Sequence, residues 1–519
     1  MKRKIVSAIL CMTIAVTACA GCGSTSKEAA GDNSEKESTS GSASAASTSS
    51  KGSKLDPVTL HFIFFGDKKS ATDDVWNAIA DYTREELNCD FDVQFIAGDD
   101  YKSKILVKAA TGDSWDMNFD SDWTGYFQMV EKDAYLDLDD LLPEYAPDLY
   151  AKYKDSGVIE AAKSKGHIVA LPWTMTMNNR PFFQWRGDLA DAAGIKIDKD
   201  SFGTIEDMDQ VLTQLKEAYP DKYILENSRI IGTMEGYSVL DQDKGLYFKL
   251  DDPTCKVVAI ENTKTYEEMA KYAEKWQKEG IIWKDVLTDK LDHNSLINQG
   301  KLIAGTGTHE FSTQNRPWVE ENAHWDYAEL YPDGLFANRT PLANAMCISA
   351  TSENPERTLM FLNMIETDQK LYDMVQYGIE GETYQLDGEM AAYPDGMDSA
   401  SSNYMEWGGQ WALWKPQFMR PNASYGPEFW TKEAEFAASK DVNVVSPLDG
   451  FCFNAENVTT EAAQRNQIFG DSDKLINVGL AGDYKEAIDT LKKDTEAAGL
   501  QTLLEEYQKQ VDEYLAQKK

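Results

Sequence analysis

Histidine is scarce. The 519-residue chain has five, His61, His167, His293, His309 and His324, and they share no spacing. There is no H-E-x-x-H pair for a catalytic metal, no G-x-S-x-G nucleophile turn and no Gly-rich phosphate loop. The acidic run Asp137-Leu138-Asp139-Asp140 lacks the EF-hand pattern. Basic residues are also short: 51 Lys and Arg stand against 87 Asp and Glu, a net charge of -36. Nucleic acid and other polyanions need a basic surface, so neither is an expected partner. Cysteine is spread thinly. Cys11, Cys19 and Cys22 lie in or beside the N-terminal leader, while Cys89, Cys255, Cys347 and Cys452 are far apart and without zinc-like spacing. No metal and no cofactor are expected. The four later cysteines can pair as in secreted proteins or stay as buried thiols, and the sequence leaves both open. Past the leader there is no bilayer-spanning run and no internal repeat.

The leader itself is legible. Met1-Lys2-Arg3-Lys4 is basic, and the stretch from Ile5 to Ala18 is apolar and small-residued, too short to span a membrane. That is a secretory signal over residues 1–18. Val16-Thr17-Ala18-Cys19 resembles a bacterial lipobox, which makes Cys19 the expected lipid anchor, with Cys22 as the alternative. An ordinary cleaved signal with spare cysteines is the plainer reading. Residues 19–54 then run through Ser, Gly, Ala, Thr, Lys and Glu without one aromatic. Such a segment cannot bury enough surface to order itself, and reads as a tether reaching on the order of 30 Å. Lipid, tether and globule together describe a protein working just outside a membrane.

The globule has material for a large core, with hydrophobic residues at 42% and aromatics at 11%. Its length points to more than one lobe. "VTLHFIFFGD" (58–67) reads as a strand, "DDVWNAIADYTREELN" (73–88) as a helix, "FDVQFIAG" (91–98) as a strand, "YKSKILVKAATGD" (101–113) as a helix closing on Gly112, and "WDMNFDSDW" (115–123) as a strand. This alternation predicts a parallel α/β sheet. Ligands of such sheets sit at the carboxyl ends of strands. Here those ends are Phe64-Phe65-Gly66-Asp67, Gly98-Asp99-Asp100 and Ser121-Asp122-Trp123. Further helices are expected at 205–220 and 265–282, a strand at 301–311, a strand and helix across 345–368, and charged helix from about Glu461.

Several stretches, in this order, carry a family resemblance: "WDMNFDSDW", "WRGDLADAAGI", "INQGKLIAGTGTHEF", "ISATSENPERTLMFLNMIETD", "YGIEGETYQLDG" and "AAGLQTLLEEYQKQVDEYL". Over residues 55 to 515 the chain resembles extracellular solute-binding protein family 1, the carbohydrate-binding lipoproteins of ABC importers, in a Gram-positive subgroup with its own C-terminal module. The resemblance implies a two-lobed periplasmic-binding-protein-like fold of type II, with crossing hinge strands and a cleft that closes on ligand. It puts residues 55–171 and 340–385 in lobe one, and 172–339 and 386–519 in lobe two. Crossovers would fall near Leu171-Pro172, Arg339-Leu342 and Tyr384-Gly388. It also implies a monomer on the extracellular face of the cytoplasmic membrane that passes an oligosaccharide or small sugar to permease subunits.

Sugars offer flat apolar faces ringed by hydroxyls, so a site for them needs aromatic platforms beside planar polar groups. The chain has 13 Trp and 24 Tyr, several of them outside periodic runs. Trp123 at a strand exit is the leading platform, with Asp122 beside it; an interface aromatic is the plain alternative. Trp173, after Pro172, can line the hinge. Trp185 and Arg186 of "FQWRGD" can touch ligand or be structural. Family analogy places Glu310, beside His309, at a cleft-facing exit. Trp407, Trp411 and Trp414 stand at i, i+4 and i+7 and would share a helical face. Most of that face is expected to be core, with Trp411 kept over the sugar by family analogy. Glu380 near a crossover and Asn422 complete the set. Against this stand a glycosidase, whose paired carboxylates arise by chance among 87 acidic residues, and a receptor of the same fold for peptide or another solute. An adhesin or structural lipoprotein would not need a cleft.

Overall fold

The computed structural model describes residues 55–229, 236–289, 293–307, 319–399, 401–423, 427, 429–439 and 443–518. Cys19, Cys22, His309 and Glu310 lie outside the described residues. The first sheet is built as its alternation of apolar residues predicts. Its strand order is Cys89–Ile96, Val58–Phe65, Met117–Asp120, Ala345–Ile348 and Leu171–Pro172. The first three are parallel, with Val58–Phe65 in register against Cys89–Ile96 from end to end. The last two run antiparallel to their neighbours because they belong to segments returning from and leaving for the other half of the molecule. Those segments travel side by side: Ala345 pairs Pro172, and the Trp173 N–H donates to the Asn344 carbonyl at 3.0 Å.

Helices cover this sheet. The helix expected over 73–88 is two, Thr72–Tyr82 and Arg84–Leu87, broken at Thr83, with Val75, Trp76 and Ile79 buried. Helix Gly98–Thr111 ends at Gly112, as read. The strand expected over 115–123 is shorter, Met117–Asp120, and the rest is a turn.

A second core gathers Phe183, Trp185, Met208, Leu212, Trp276 and Ile303. It lies on the antiparallel sheet Ala304–Gly307, Phe182–Arg186, Trp325–Glu329 and on helices Ile205–Ala218 and Lys264–Lys278. The first of these helices opens on a capping box between Thr204 and Asp207. The C-terminal helices Thr459–Ile476 and Tyr484–Ala497 put Phe469, Ile476, Ile488 and Leu491 into this core. Helix Leu500–Gln517 seals a third core with Leu246, Phe248, Val257, Leu448 and Phe451.

Two readings are corrected. Trp407, Trp411 and Trp414 do not share a helical face, since only a 3-10 turn, Gln410–Leu413, forms there. The stretch from 386 to Arg420 does not belong with the second core. Tyr404, Trp407, Ala412 and Leu413 are buried in the first. Trp407 wedges between Phe64 and Phe95, with ring centroids 4.8 and 5.5 Å away, and its indole N–H donates to the Val375 carbonyl at 3.1 Å. Arg420 is paired with Asp373 at 2.9 Å. Past it, Glu433 accepts from Asn178, and Phe436 packs on Phe182. The chain is thus still with the first core at Arg420 and beside Phe182 at Phe436, so no crossing lies near Tyr384-Gly388. All four described cysteines are free: Cys89, Cys255 and Cys347 are buried and Cys452 is half-buried. Among the described residues no helix is long and apolar enough to cross a membrane.

Candidate ligand cleft

The site is assembled at the carboxyl ends of the parallel strands. Met117–Asp120 ends in a buried carboxylate. Asp120 Oδ1 accepts from the N–H of Ser121 at 2.8 Å, the N–H of Gly125 at 3.1 Å and the Thr124 hydroxyl at 2.5 Å, while Oδ2 accepts from the Tyr135 hydroxyl. Burial pushes this carboxyl up, and the Thr124 and Tyr135 hydroxyls and the two amides pull it back. The turn it organises projects Trp123, which stays 46% exposed. The Trp123 indole N–H donates to the Ala343 carbonyl at 2.8 Å, and the Asp122 N–H to the Leu342 carbonyl at 3.0 Å, so the turn is docked on the returning crossover.

A second loop comes in from far along the chain. In "EWGGQW", Gly408 and Gly409 have φ of +88° and +67°. A Cβ on Gly409 would stand 2.8 Å from the Phe65 carbonyl oxygen, and one on Gly408 3.1 Å from the same oxygen. Only glycine permits this approach with a left-handed backbone. The two glycines turn the chain so that Trp407 enters the core and Trp411 lies over the strand exit. Phe65 becomes the hub, with ring centroids 5.2 Å from Trp123 and 5.9 Å from Trp411. Phe119 closes the group at 5.9 and 6.3 Å from the same two rings.

Charge gathers beside these rings. Burial pushes the Asp122 carboxyl up to about 6 although part of the residue reaches solvent, and the Arg339 guanidinium holds it from going higher. Burial likewise takes Asp449 to about 6, with Lys518 pulling down and Asp122 pushing up. Asp449 belongs to the C-terminal segment, so two carboxyls from distant parts of the chain feel each other here. Along the crossover, Trp173 stacks on Trp414 at 6.0 Å, and Trp430 meets Trp414 edge-on at 5.0 Å.

The structure brings Asp122, Trp123 and Trp411 together, and it separates the rest. Trp173 is buried, its indole N–H on the Thr340 carbonyl at 3.3 Å, so it packs the hinge and offers no open face. Trp185 is only 2% exposed and stacks on Phe183 and Phe202's side of the second core, so it is a core residue. Arg186, 1% exposed, is spent on Asp188 and Glu320 at 2.6 and 2.7 Å. Both are withdrawn as ligand contacts. Glu380 sits exposed in the turn that bridges to Tyr384. Asn422 is half-buried and donates to Glu406 at 3.0 Å, which ties down the loop ahead of Trp407. Asp449 escaped the sequence reading; Phe65 was named there only as part of a strand end, Arg339 only at a crossover and Trp414 only as a member of the tryptophan set, none of them as a site residue.

Two cavities, of about 360 and 400 Å³, occur elsewhere and are not lined by Trp123 or Trp411. Among the described residues one group has metal-ligand chemistry, the exposed Asp137, Asp139 and His167. There the imidazole lies within hydrogen-bond distance of both carboxylates, and Asp139 also accepts the Ile168 N–H, which accounts for the cluster as a turn lock.

Comparison with known proteins matches residues 77–395 to the profile described as bacterial extracellular solute-binding protein. The chain belongs to that family. A second profile, domain of unknown function DUF3502, covers residues 447–516 of this solute-binding protein. A carbohydrate ABC transporter substrate-binding protein of Streptococcus pneumoniae serotype 4 is 26% identical over 473 residues, spanning 89% of this chain and 92% of that one. The N-glycan transport solute binding protein (NgtS) of Streptococcus pneumoniae, solved with Man1GlcNAc, superposes with a TM-score of 0.74 at 24% identity, covering 89% of this chain and 100% of its own. An HMO binding ABC-transporter associated solute binding protein from Bifidobacterium longum infantis superposes with a TM-score of 0.63 at 15% identity, over 88% and 99% of the two chains. The architecture is thus that of a two-lobed solute-binding protein, with the aromatic group at the strand ends of lobe one.

Proposed function

We propose that the protein is the substrate-binding component of an ABC importer and that it captures an oligosaccharide. The observation that carries this is the exposed Trp123 ring, held with Trp411 around Phe65 and flanked by Asp122 and Arg339. An apolar ring face beside groups that take two hydrogen bonds each matches the two surfaces of a sugar. The relatives point the same way: NgtS is solved with Man1GlcNAc and with Man5GlcNAc.

Sugar enters the open cleft and stacks on Trp123. The second lobe then closes and completes its hydrogen bonds, a hinge motion about the paired crossing segments. The closed form docks on the permease. Lipidation at Cys19, or at Cys22, holds the protein on the outer face of the membrane, and the tether lets it reach the permease. No step calls for a catalytic residue, a metal or a cofactor.

The test is a thermal-shift screen of the protein against oligosaccharides, monosaccharides and peptides, with Man5GlcNAc among the first. A ligand at 100 times its Kd adds about 2.7 kcal/mol, a clear rise in melting temperature. A rise with a saccharide, lost in Trp123→Ala, supports the proposal. A response to peptides alone keeps the fold and overturns the ligand.

A further inference from the structure

The Trp123 ring packs on Phe65 and Phe119, but the turn that carries it has no regular secondary structure to hold its backbone. Residues Ser121 to Gly125 form no helix or strand. What orders them is the fully buried Asp120 carboxylate, which holds three of their donors on one oxygen. Its other oxygen takes the Tyr135 hydroxyl, which in turn accepts from Asn118 Nδ2 at 3.1 Å. Asn118 Oδ1 accepts the Trp115 indole N–H at 2.9 Å. Donation runs from Trp115 to Asn118 to Tyr135 and ends on Asp120, which also accepts from the turn, and every member comes from "WDMNFDSDWTGYF" or Tyr135. The turn's outer edge is fixed to the crossover by Asp122 and Trp123. Beside its ring contacts with Phe65 and Phe119, Trp123 therefore has two polar anchors, one below in Asp120 and one across in Leu342-Ala343.

We propose that Asp120 is the positioning residue of the ligand platform: it never touches ligand, and its carboxylate sets where the Trp123 ring stands. The inference rests on the reading of Trp123 as a ligand contact. It explains why a carboxylate is buried at this strand end. An amide of the same shape fails at one point. Asn at 120 keeps an oxygen for Ser121, Thr124 and Gly125, but its Nδ2 faces the Tyr135 oxygen, which already receives Asn118. The Tyr135 hydrogen is then left without an acceptor, a buried unmade bond of the costly kind.

The test uses the protein labelled with 5-fluorotryptophan, with the Trp123 resonance assigned as the one lost in Trp123→Phe. In Asp120→Asn that resonance shifts or broadens, while Ile63→Val, a buried lesion in the same sheet, leaves it in place. Affinity for Man5GlcNAc falls roughly tenfold in Asp120→Asn, the size expected for losing a hydrogen bond to a charged group, and is unchanged in Ile63→Val. Should Asp120→Asn not fold, Tyr135→Phe and Thr124→Val each remove one donor and move the resonance less, in the same sense. An unmoved Trp123 resonance in all three overturns the proposal. Absence of sugar binding by the wild type would defeat the platform reading instead, and the resonance would still decide the role of Asp120.

Discussion

Replacing Gly409 by alanine tests how the late loop is seated on the sheet. The position has φ +67°, a left-handed backbone that costs a residue with a Cβ about 1–2 kcal/mol. The new methyl would also stand 2.8 Å from the Phe65 carbonyl oxygen, 3.2 Å from its nitrogen and 3.3 Å from its Cβ. These are main-chain atoms and the root of a side chain in a paired strand, so they cannot swing away. Overpacking of that sort adds about 1–3 kcal/mol. Together the two effects destabilise by roughly 2–5 kcal/mol. Gly381→Ala is the control. Its φ is +85° and nothing lies within 4 Å of its Cβ, so it carries the backbone cost alone, about 1–2 kcal/mol. Urea unfolding followed by tryptophan fluorescence measures both at constant m-value. Because relief comes by lifting the loop off Phe65, Trp411 leaves the strand exit and Gly409→Ala also weakens sugar binding, read by calorimetry. If Gly409→Ala costs no more than Gly381→Ala, the close approach to Phe65 does not hold the loop, and the account of Trp411 falls.

Trp123→Ala and Trp185→Ala should fail in opposite ways. The first abolishes sugar binding at a smaller cost in unfolding free energy, because the residue is 46% exposed; the second costs about 3–5 kcal/mol by opening the core of lobe two. Calorimetry and urea melts on the pair check this, and loss of binding in a stable Trp185→Ala would return that residue to the site. Lys415 and Glu366 form an almost fully buried ion pair at 2.8 Å. Lys415→Met strands the carboxylate and should destabilise by about 3–5 kcal/mol in urea melts, whereas a loss under about 1 kcal/mol would show the pair is solvated. The Asp122 carboxyl, at about 6 when folded against about 3.9 in an unfolded chain, holds its proton more tightly in the native state. Its contribution to stability is present below pH 4 and lost as pH rises through 6. Asp122→Asn should therefore gain on the wild type between pH 4 and pH 7. Parallel stability profiles over that window would refute the shift.

How much of this was legible is clearest at three places. The place of Trp123 and Asp122 at a strand exit was readable because the strand run ends just before them, at Asp120, and that much is local. Trp185 and Arg186 misled because an aromatic and an arginine in a strand look the same from the sequence whether their face is open or covered. The cover here, Phe202 over Trp185 and the Glu320 carboxylate on Arg186, comes from 17 and 134 positions away and leaves no trace in the local pattern. Trp411 was kept for a family reason, and its mechanism was invisible, since the glycine pair matters only against Phe65 in a strand more than three hundred positions earlier.

By itself, then, the sequence determined what depends on neighbours along the chain. That includes the alternation of strand and helix, the helix end at Gly112, and the family to which the ordered motifs belong. Tertiary structure alone decided which lobe claims residues 386–420, which tryptophans are covered, and how Phe65, Trp123 and Trp411 meet. The physical reason is that burial and ring contact depend on chain segments brought together from far apart. A helical period or a cap is a property of a few adjacent residues, while the face a tryptophan shows to solvent is set by whatever else the fold lays over it.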